Sequence, residues 1–237
     1  MAHMRSSLAI PASCAAPLPP SGARTIRAKL LVDGAHYEEL VTRAISQAEV
    51  SVWISTANLK TMMVEAPIGS RARARGRYVS FFETLGELAR SGVDVCILHA
   101  SPPSGPLQRE LARLAKSASG VKMRRCPRVH LKMIAIDGKL LYLGSANLTG
   151  AGLGAKGDGR RNFEMGILTD SESMLDAAQE RFDRIWRGRE CGSCTMRRDC
   201  DKPLDMLGAR ATSRAASPRA CRSPSGPRSP SSRRPSS

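Results

Sequence analysis

Residues Val129 to Asn147 read VHLKMIAIDGKLLYLGSAN, and the fold turns on how this stretch is paired. Val129, Leu131, Met133 and Ala135 alternate with His130, Lys132, Ile134 and Ile136, which is the period of a strand. Asp137-Gly138 is a favoured pair for a two-residue hairpin loop, and the chain returns through Leu140–Leu143 to Gly144, Ser145, Ala146 and Asn147. With Asp137-Gly138 as the loop, Ile136 is expected opposite Lys139 and His130 opposite Ser145. Directly paired residues share a face, as do residues two apart, so His130, Lys132, Ser145 and Asn147 are expected on one side of the sheet. A nucleophile or base, a fixed cation, a hydroxyl and an amide together suit an anionic, oxygen-rich group such as a phosphate. A register slip of one residue breaks that arrangement.

His130-x-Lys132, then Asp137, then Gly144-Ser145-x-Asn147 resembles the HKD motif of the phospholipase D superfamily, with every specified position filled. The competing reading is a half-buried hairpin with a stray His and Lys. Six specified positions at fixed spacing weigh against it. The resemblance implies a single HKD domain, a mixed β-sheet flanked by helices, covering roughly residues 25–188. It implies metal-independent phosphodiester cleavage. His130 attacks phosphorus and forms a phosphohistidine, while Lys132 and Asn147, helped by Ser145, hold the phosphoryl oxygens. Asp137 is the motif's carboxylate, with a mainly structural role. In single-motif relatives a later glutamate hydrogen-bonds the catalytic histidine, and Glu164 is the candidate here. A second histidine must protonate the leaving group. Among His3, His36, His99 and His130 only His130 has a lysine two residues on, so a symmetric homodimer through the HKD hairpin, its two-fold axis beside that hairpin, is expected to supply the second copy.

The rest of the chain fits an α/β domain. Helical spacing over Tyr37–Ala48 leads into a β-branched strand at Val50–Ile54. A loop ending in Arg71, Arg73, Arg75 and Arg77 follows. Arg75 and Arg77 are candidates for substrate phosphate, set against the plainer reading of a solvated basic loop. A helix over Phe81–Ala89 stops at Gly92, and Val93–Leu98 reads as a buried strand ending at His99, a rim or structural histidine. A helix over Leu107–Ala115, a short strand at Val121–Met123, a glycine-dense loop after Asn147, a strand at Asn162–Leu168 and a helix over Met174–Trp186 complete the domain. The glycine loop has no GK[ST] ending and is not a Walker loop.

The net charge of +16 includes seven arginines and no acid from Arg210 onward; without them it is +9. That balance suits polyanionic partners, nucleic acid or an acidic membrane surface, without choosing between them. No run has the length of a transmembrane helix, and the Pro/Ala/Ser start lacks a signal-peptide apolar core, so a disordered leader over 1–24 and a cytoplasmic protein are expected. The tail over 208–237, rich in Ser, Pro and Arg, is expected to be disordered.

Residues 189–207 form a separate Cys-rich segment. Cys191-x-x-Cys194-x5-Cys200 presents three thiolates at a spacing that can wrap one soft metal centre, with Cys126 as the fourth ligand. This spacing resembles the iron–sulfur staple of the RecB-like nucleases, which implies a 4Fe–4S cluster; zinc is the alternative. Three incidental cysteines are the plainer reading. The substrate stays open between phospholipid head groups and DNA or RNA. A non-catalytic, metal-stapled nucleic-acid-binding module is the rival class.

Overall fold

The structure is a computed structural model that describes residues 25–66, 71–116 and 120–207. The expected leader and basic tail lie outside the described residues. In chain order the elements are β1 (Ala28–Val32), a π-wound helix (His36–Ile45), β2 (Ser51–Thr56), β3 (Met63–Glu65), α1 (Arg71–Ala74), β4 (Tyr78–Ser80), α2 (Phe81–Arg90), β5 (Asp94–His99), α3 (Gly105–Lys116), β6 (Lys122–Arg125), β7 (Met133–Ile136), β8 (Leu140–Gly144), β9 (Met165–Thr169) and α4 (Glu172–Trp186).

Seven strands form one mixed sheet in the order β1-β9-β8-β7-β2-β5-β6. β2, β5 and β6 run parallel, joined by helical crossovers, whereas β7, β8, β9 and β1 succeed one another antiparallel. β2 and β7 are therefore central, and all four β7 side chains are buried, on two different faces. Ile134 and Ile136 join Val52, Ile54 and Tyr142 in a core closed by Leu40, Phe82, Leu85 and Leu107 of the first-face helices. Met133 and Ala135 join Leu98 and Leu141 against Leu175, Phe182 and Ile185 of α4. On that second face Trp53, Phe182 and Trp186 stack in a row, with centroids 5.3 and 5.6 Å apart.

Local chemistry explains the element ends. Ser80 caps α2 through Phe82 N–H donating to its Oγ at 3.2 Å, and Gly92, at φ +105, turns the chain out of the helix into β5. β3 and β4 form a small separate hairpin with α1 between them, a region expected to be loop. Its strands are three residues long, too short for the alternation of a strand to be legible.

The central hairpin differs from its expected register. Ile136 pairs with Leu140, Ile134 with Tyr142 and Met133 with Leu143, one residue away from the pairing expected of a two-residue loop. Asp137 and Gly138 both take left-handed backbone, at φ +54 and +62, and Lys139 N–H donates to Ile136 O at 2.9 Å. Lys139 falls in the turn rather than in β8. Extended downward, this register sets Lys132 opposite Gly144, not His130 opposite Ser145, and Gly144 N–H does donate to Lys132 O at 3.2 Å.

Candidate active site

The shifted register does not scatter the motif, because the ladder ends at Met133 and residues 129–132 are not in strand. Pleat alternation no longer dictates where His130 and Lys132 point. His130, Lys132, Gly144 and Ser145 line one cavity of about 660 Å³ with Leu131, Met133, Leu143 and the Met174, Ala177, Ala178 and Arg181 face of α4. Its size is that of a small-ligand pocket. Lys132 Nζ lies 3.0 Å from His130 Nε2 and 3.1 Å from Nδ1. A neutral imidazole offers one acceptor nitrogen, so the ammonium can donate to only one of the two, and the contact pairs the side chains while leaving the histidine tautomer open.

Asn147 is not among the residues lining that cavity. Its Oδ1 accepts from the Asn58 main-chain N–H at 3.1 Å and stands 3.3 Å from Thr56 Oγ1. Thr56 Oγ1 in turn accepts from Leu148 N–H at 3.0 Å and is 2.8 Å from Asn58 O, which claims its single proton. The carbonyl end of the Asn147 amide is thereby engaged, which leaves the NH2 end as the one outside these contacts.

Ser145 is tied to β9. Its Oγ contacts the Glu164 carboxylate as donor and accepts from Met165 N–H at 3.1 Å, and its own N–H donates to Met165 O at 3.0 Å. A hydroxyl with its proton on Glu164 must release it before donating to a phosphoryl oxygen. Glu164 was expected to hydrogen-bond the catalytic histidine; its partners are Ser145 and Asn162, whose Nδ2 donates to Oε1 at 3.0 Å. The cause lies in the main chain: Asp33 N–H donates to Glu164 O at 2.9 Å and Glu164 N–H to Asp33 Oδ1 at 2.8 Å, pinning this residue to the end of β1.

Gly144 has a packing reason. It pairs with Gly166, and a Cβ on Gly144 would fall 2.3 Å from the Tyr142 hydroxyl, while one on Gly166 would fall 2.4 Å from Tyr142 Cε2. Two glycines side by side let the buried Tyr142 ring lie flat across both strands. Burial pushes the Tyr142 hydroxyl up to about 12.

Asp137 sits at the far end of the hairpin. Its carboxylate accepts from the main-chain N–H groups of Glu49, at 3.1 and 3.2 Å, Val50, at 2.8 Å, and Ser51, at 2.9 Å. It clamps the hairpin turn to the start of β2. Burial alone would raise its pKa, but the Ser51, Val50 and Glu49 N–H groups together with Lys139 outweigh that and hold it below the usual carboxylate value.

The other histidines are poor candidates for proton transfer. His99 is 5% exposed, with Nδ1 2.9 Å from Ser101 O, and burial lowers its pKa despite that bond. His36 is fully buried, Nδ1 2.9 Å from Asp33 O, edge-on to Tyr142. His3 lies outside the described residues. Arg75 and Arg77 are exposed and line no part of the cavity. The residues that sequence reading missed are Asp33, Thr56 and Asn58, which position Glu164 and Asn147. Asp33-Gly34 carries a turn signal, but its link to Glu164 is long-range and has no local signature.

The fold and this site define a phospholipase D-like domain. The family model described as cardiolipin synthase, PLD-like domain, matches residues 41–186, and the chain belongs to that family. Among solved structures it is similar to NucT from Helicobacter pylori, 17% identical, covering 68% of this chain and 95% of that one at a TM-score of 0.47. It is also similar to Nuc from Salmonella typhimurium, a phospholipase D family member, at 19% identity, the same coverages and a TM-score of 0.46. Polyphosphate kinase from Porphyromonas gingivalis matches at 17% identity over 68% of this chain and 24% of that one, with a TM-score of 0.45. No curated protein matches the chain.

Proposed function

We propose that the chain is a phosphodiesterase of the phospholipase D type and needs no metal for the chemical step. The observation that carries this is the exposed His130–Lys132 pair in one cavity with Ser145, all three at motif positions. A ring nitrogen of His130 attacks phosphorus. Negative charge gathers on the phosphoryl oxygens, where the Lys132 ammonium and the Asn147 amide donate, and the P–O bond to the leaving group breaks as its oxygen takes a proton. Water then gives a proton to the same acid–base group and attacks phosphorus, the P–N bond breaks, and His130 is regenerated.

The proton donor is His130 of a second copy. No other histidine of the described residues is exposed, and His99, buried and with its pKa lowered by that burial, is placed away from the cavity. The face that closes the dimer is the β1–β9 edge of the sheet, beside the hairpin rather than the hairpin itself, and it is exposed among the described residues. Leu30 pairs with Ile167 and Val32 with Met165, and Leu30, Val32 and Met165 are exposed, with Phe163 96% exposed nearby in sequence. This apolar strip adjoins Ser145 and Glu164 through β9. A two-fold axis there sets the same patch against itself and brings two cavities together.

For substrate, the apolar wall of Leu131, Met174, Ala177 and Ala178 beside the catalytic pair favours a phospholipid diester, head group in and glycerol side on the wall. A second reading, an endonuclease of the same chemistry, is favoured by the basic charge balance. Among the described residues no helix is long and apolar enough to cross a membrane. The test is turnover of bis(p-nitrophenyl) phosphate with chelator present, then of labelled phospholipid vesicles, single-stranded DNA and duplex DNA, by wild-type and His130→Ala protein. Turnover lost in His130→Ala is expected. In equal mixtures allowed to exchange, only about a quarter of dimers are wild-type pairs, and activity should fall to about that level. Full activity in a strictly monomeric preparation would contradict the dimer, and tight binding of DNA or lipid without turnover would favour the non-catalytic module.

A further inference from the structure

We infer that Cys126, Cys191, Cys194 and Cys200 are the ligands of a structural tetrathiolate metal centre, most simply one zinc ion. The four side chains come from two separate parts of the chain. Cys126 follows β6, its N–H donating to His99 O at 2.8 Å. The other three follow α4 in consecutive turns: Cys191 N–H donates to Gly188 O, Cys194 N–H to Cys191 O, and Cys200 N–H to Arg197 O. All four are half-buried, free of disulfides, and line one pocket of about 30 Å³ closed by Pro127, Met196, Pro203 and Leu204.

Four thiols around a space of that size are poor packing for their own sake. The volume is roughly that of one water molecule, yet thiols and prolines make weak partners for one. A single metal ion fits better. Zn–S bonds of about 2.3 Å set four sulfurs roughly 3.8 Å apart, whereas an iron–sulfur cube needs the pocket to widen. The surroundings are also basic. Four thiolates on a divalent ion carry two net negative charges, and the pocket is rimmed by Arg125, Arg128 and Arg197, of which Arg125 pairs with Asp201 and Arg197 with Asp205. As the side chains stand, no three His, Cys, Asp or Glu among the described residues are set to hold a metal. Binding therefore requires the four thiols to draw together from the positions they hold in this structure.

The centre has a consequence for the site. Cys126 O accepts from Val129 N–H at 3.0 Å, and the non-strand segment that follows carries His130. Fixing Cys126 to the C-terminal turns fixes the root of that segment.

Metal content of protein purified without chelator or affinity metal tests the inference independently of any activity. The expected result is about one zinc per chain, released on titrating wild-type thiols with an organomercurial. Cys126→Ser and Cys194→Ser should each lower it at least fivefold, and a Cys14→Ser, Cys221→Ser control should leave it unchanged. Iron with equivalent sulfide, equally dependent on Cys126 and Cys194, also supports the tetrathiolate centre, in its cluster form. Metal-free wild-type protein, metal retained in Cys126→Ser, or a native disulfide among these four cysteines would overturn it. If the serine variants fail to fold, the mercurial titration of wild-type protein decides alone.

Discussion

Replacing Asp137 separates the structural part of the motif from its chemistry. Its carboxylate serves three main-chain N–H groups, and a hydrogen bond to a charged acceptor contributes about 1.5–3 kcal/mol net. The Glu49 and Val50 N–H groups sit at exposed positions and pass to water when the carboxylate is removed, so they add little. The Ser51 N–H is part-buried and keeps most of its value. Alanine also has to hold a left-handed backbone at φ +54, which costs about 1 kcal/mol more. Asp137→Ala should thus lose about 2.5–4 kcal/mol, and its Tm should fall by roughly 5–15 °C for a domain of this size. Asp137→Asn keeps an acceptor oxygen and tolerates the left-handed conformation, so it should lie between the two. The carboxyl is held below its unfolded value, so its charged-state contribution is complete above about pH 4 and fades as pH falls through the lower folded value. The gap between wild type and Asp137→Asn in urea unfolding should therefore narrow below about pH 4. Turnover of bis(p-nitrophenyl) phosphate below both melting temperatures should stay within about threefold, because the carboxylate points at the start of β2. Unchanged stability with turnover lost by a hundredfold would refute the structural assignment.

Three further outcomes are expected. Thr56→Val leaves the Leu148 N–H without its acceptor and loosens the main chain next to Asn147, whose amide keeps its bond from the Asn58 N–H; it should cost about 1–3 kcal/mol of stability and about tenfold in kcat with KM little changed, and normal kcat would remove Thr56 from the positioning of Asn147. Lys132→Ala should lower kcat by about 10²–10³-fold, and Lys132→Arg should rescue little, since the planar fork cannot reproduce a point charge against the His130 ring; full rescue would argue that only net charge matters. If nucleic acid is the substrate, binding should weaken steeply between low and moderate salt, with Arg75→Ala and Arg77→Ala each flattening the slope by about one, whereas flat binding points to a lipid diester.

Much of the fold is legible in periodicity because its elements bury one or two full faces. The helices read at Tyr37–Ala48, Phe81–Ala89 and Met174–Trp186, and the strands read at Val50–Ile54 and Val93–Leu98, which the structure places at Ser51–Thr56 and Asp94–His99, carry patterns long enough to read. The β3–β4 hairpin is too short to do so. The hairpin register was missed because the turn includes Lys139, and a turn's length is set by backbone angles that an Asp-Gly pair permits but does not dictate. His130, Lys132 and Ser145 nevertheless share a cavity, because the chain leaves the pleat at the residues where register would have decided. The supports of the site were not legible. Asp33 reaches Glu164, and Thr56 and Asn58 reach Asn147, across strands distant in sequence, and no local pattern marks such pairs.

The nucleophile itself can be caught. Trypsin cuts after Arg128 and Lys132, so His130 leaves in the peptide of residues 129–132. Rapid acid-free quenching during turnover of bis(p-nitrophenyl) phosphate, followed by mass spectrometry of that peptide, should show a p-nitrophenylphosphoryl adduct on His130, stable in alkali and lost in mild acid. It should be absent from His130→Ala protein. Steady turnover with no adduct on this peptide, or with an adduct on another residue that survives in His130→Ala, would contradict His130 as the attacking group.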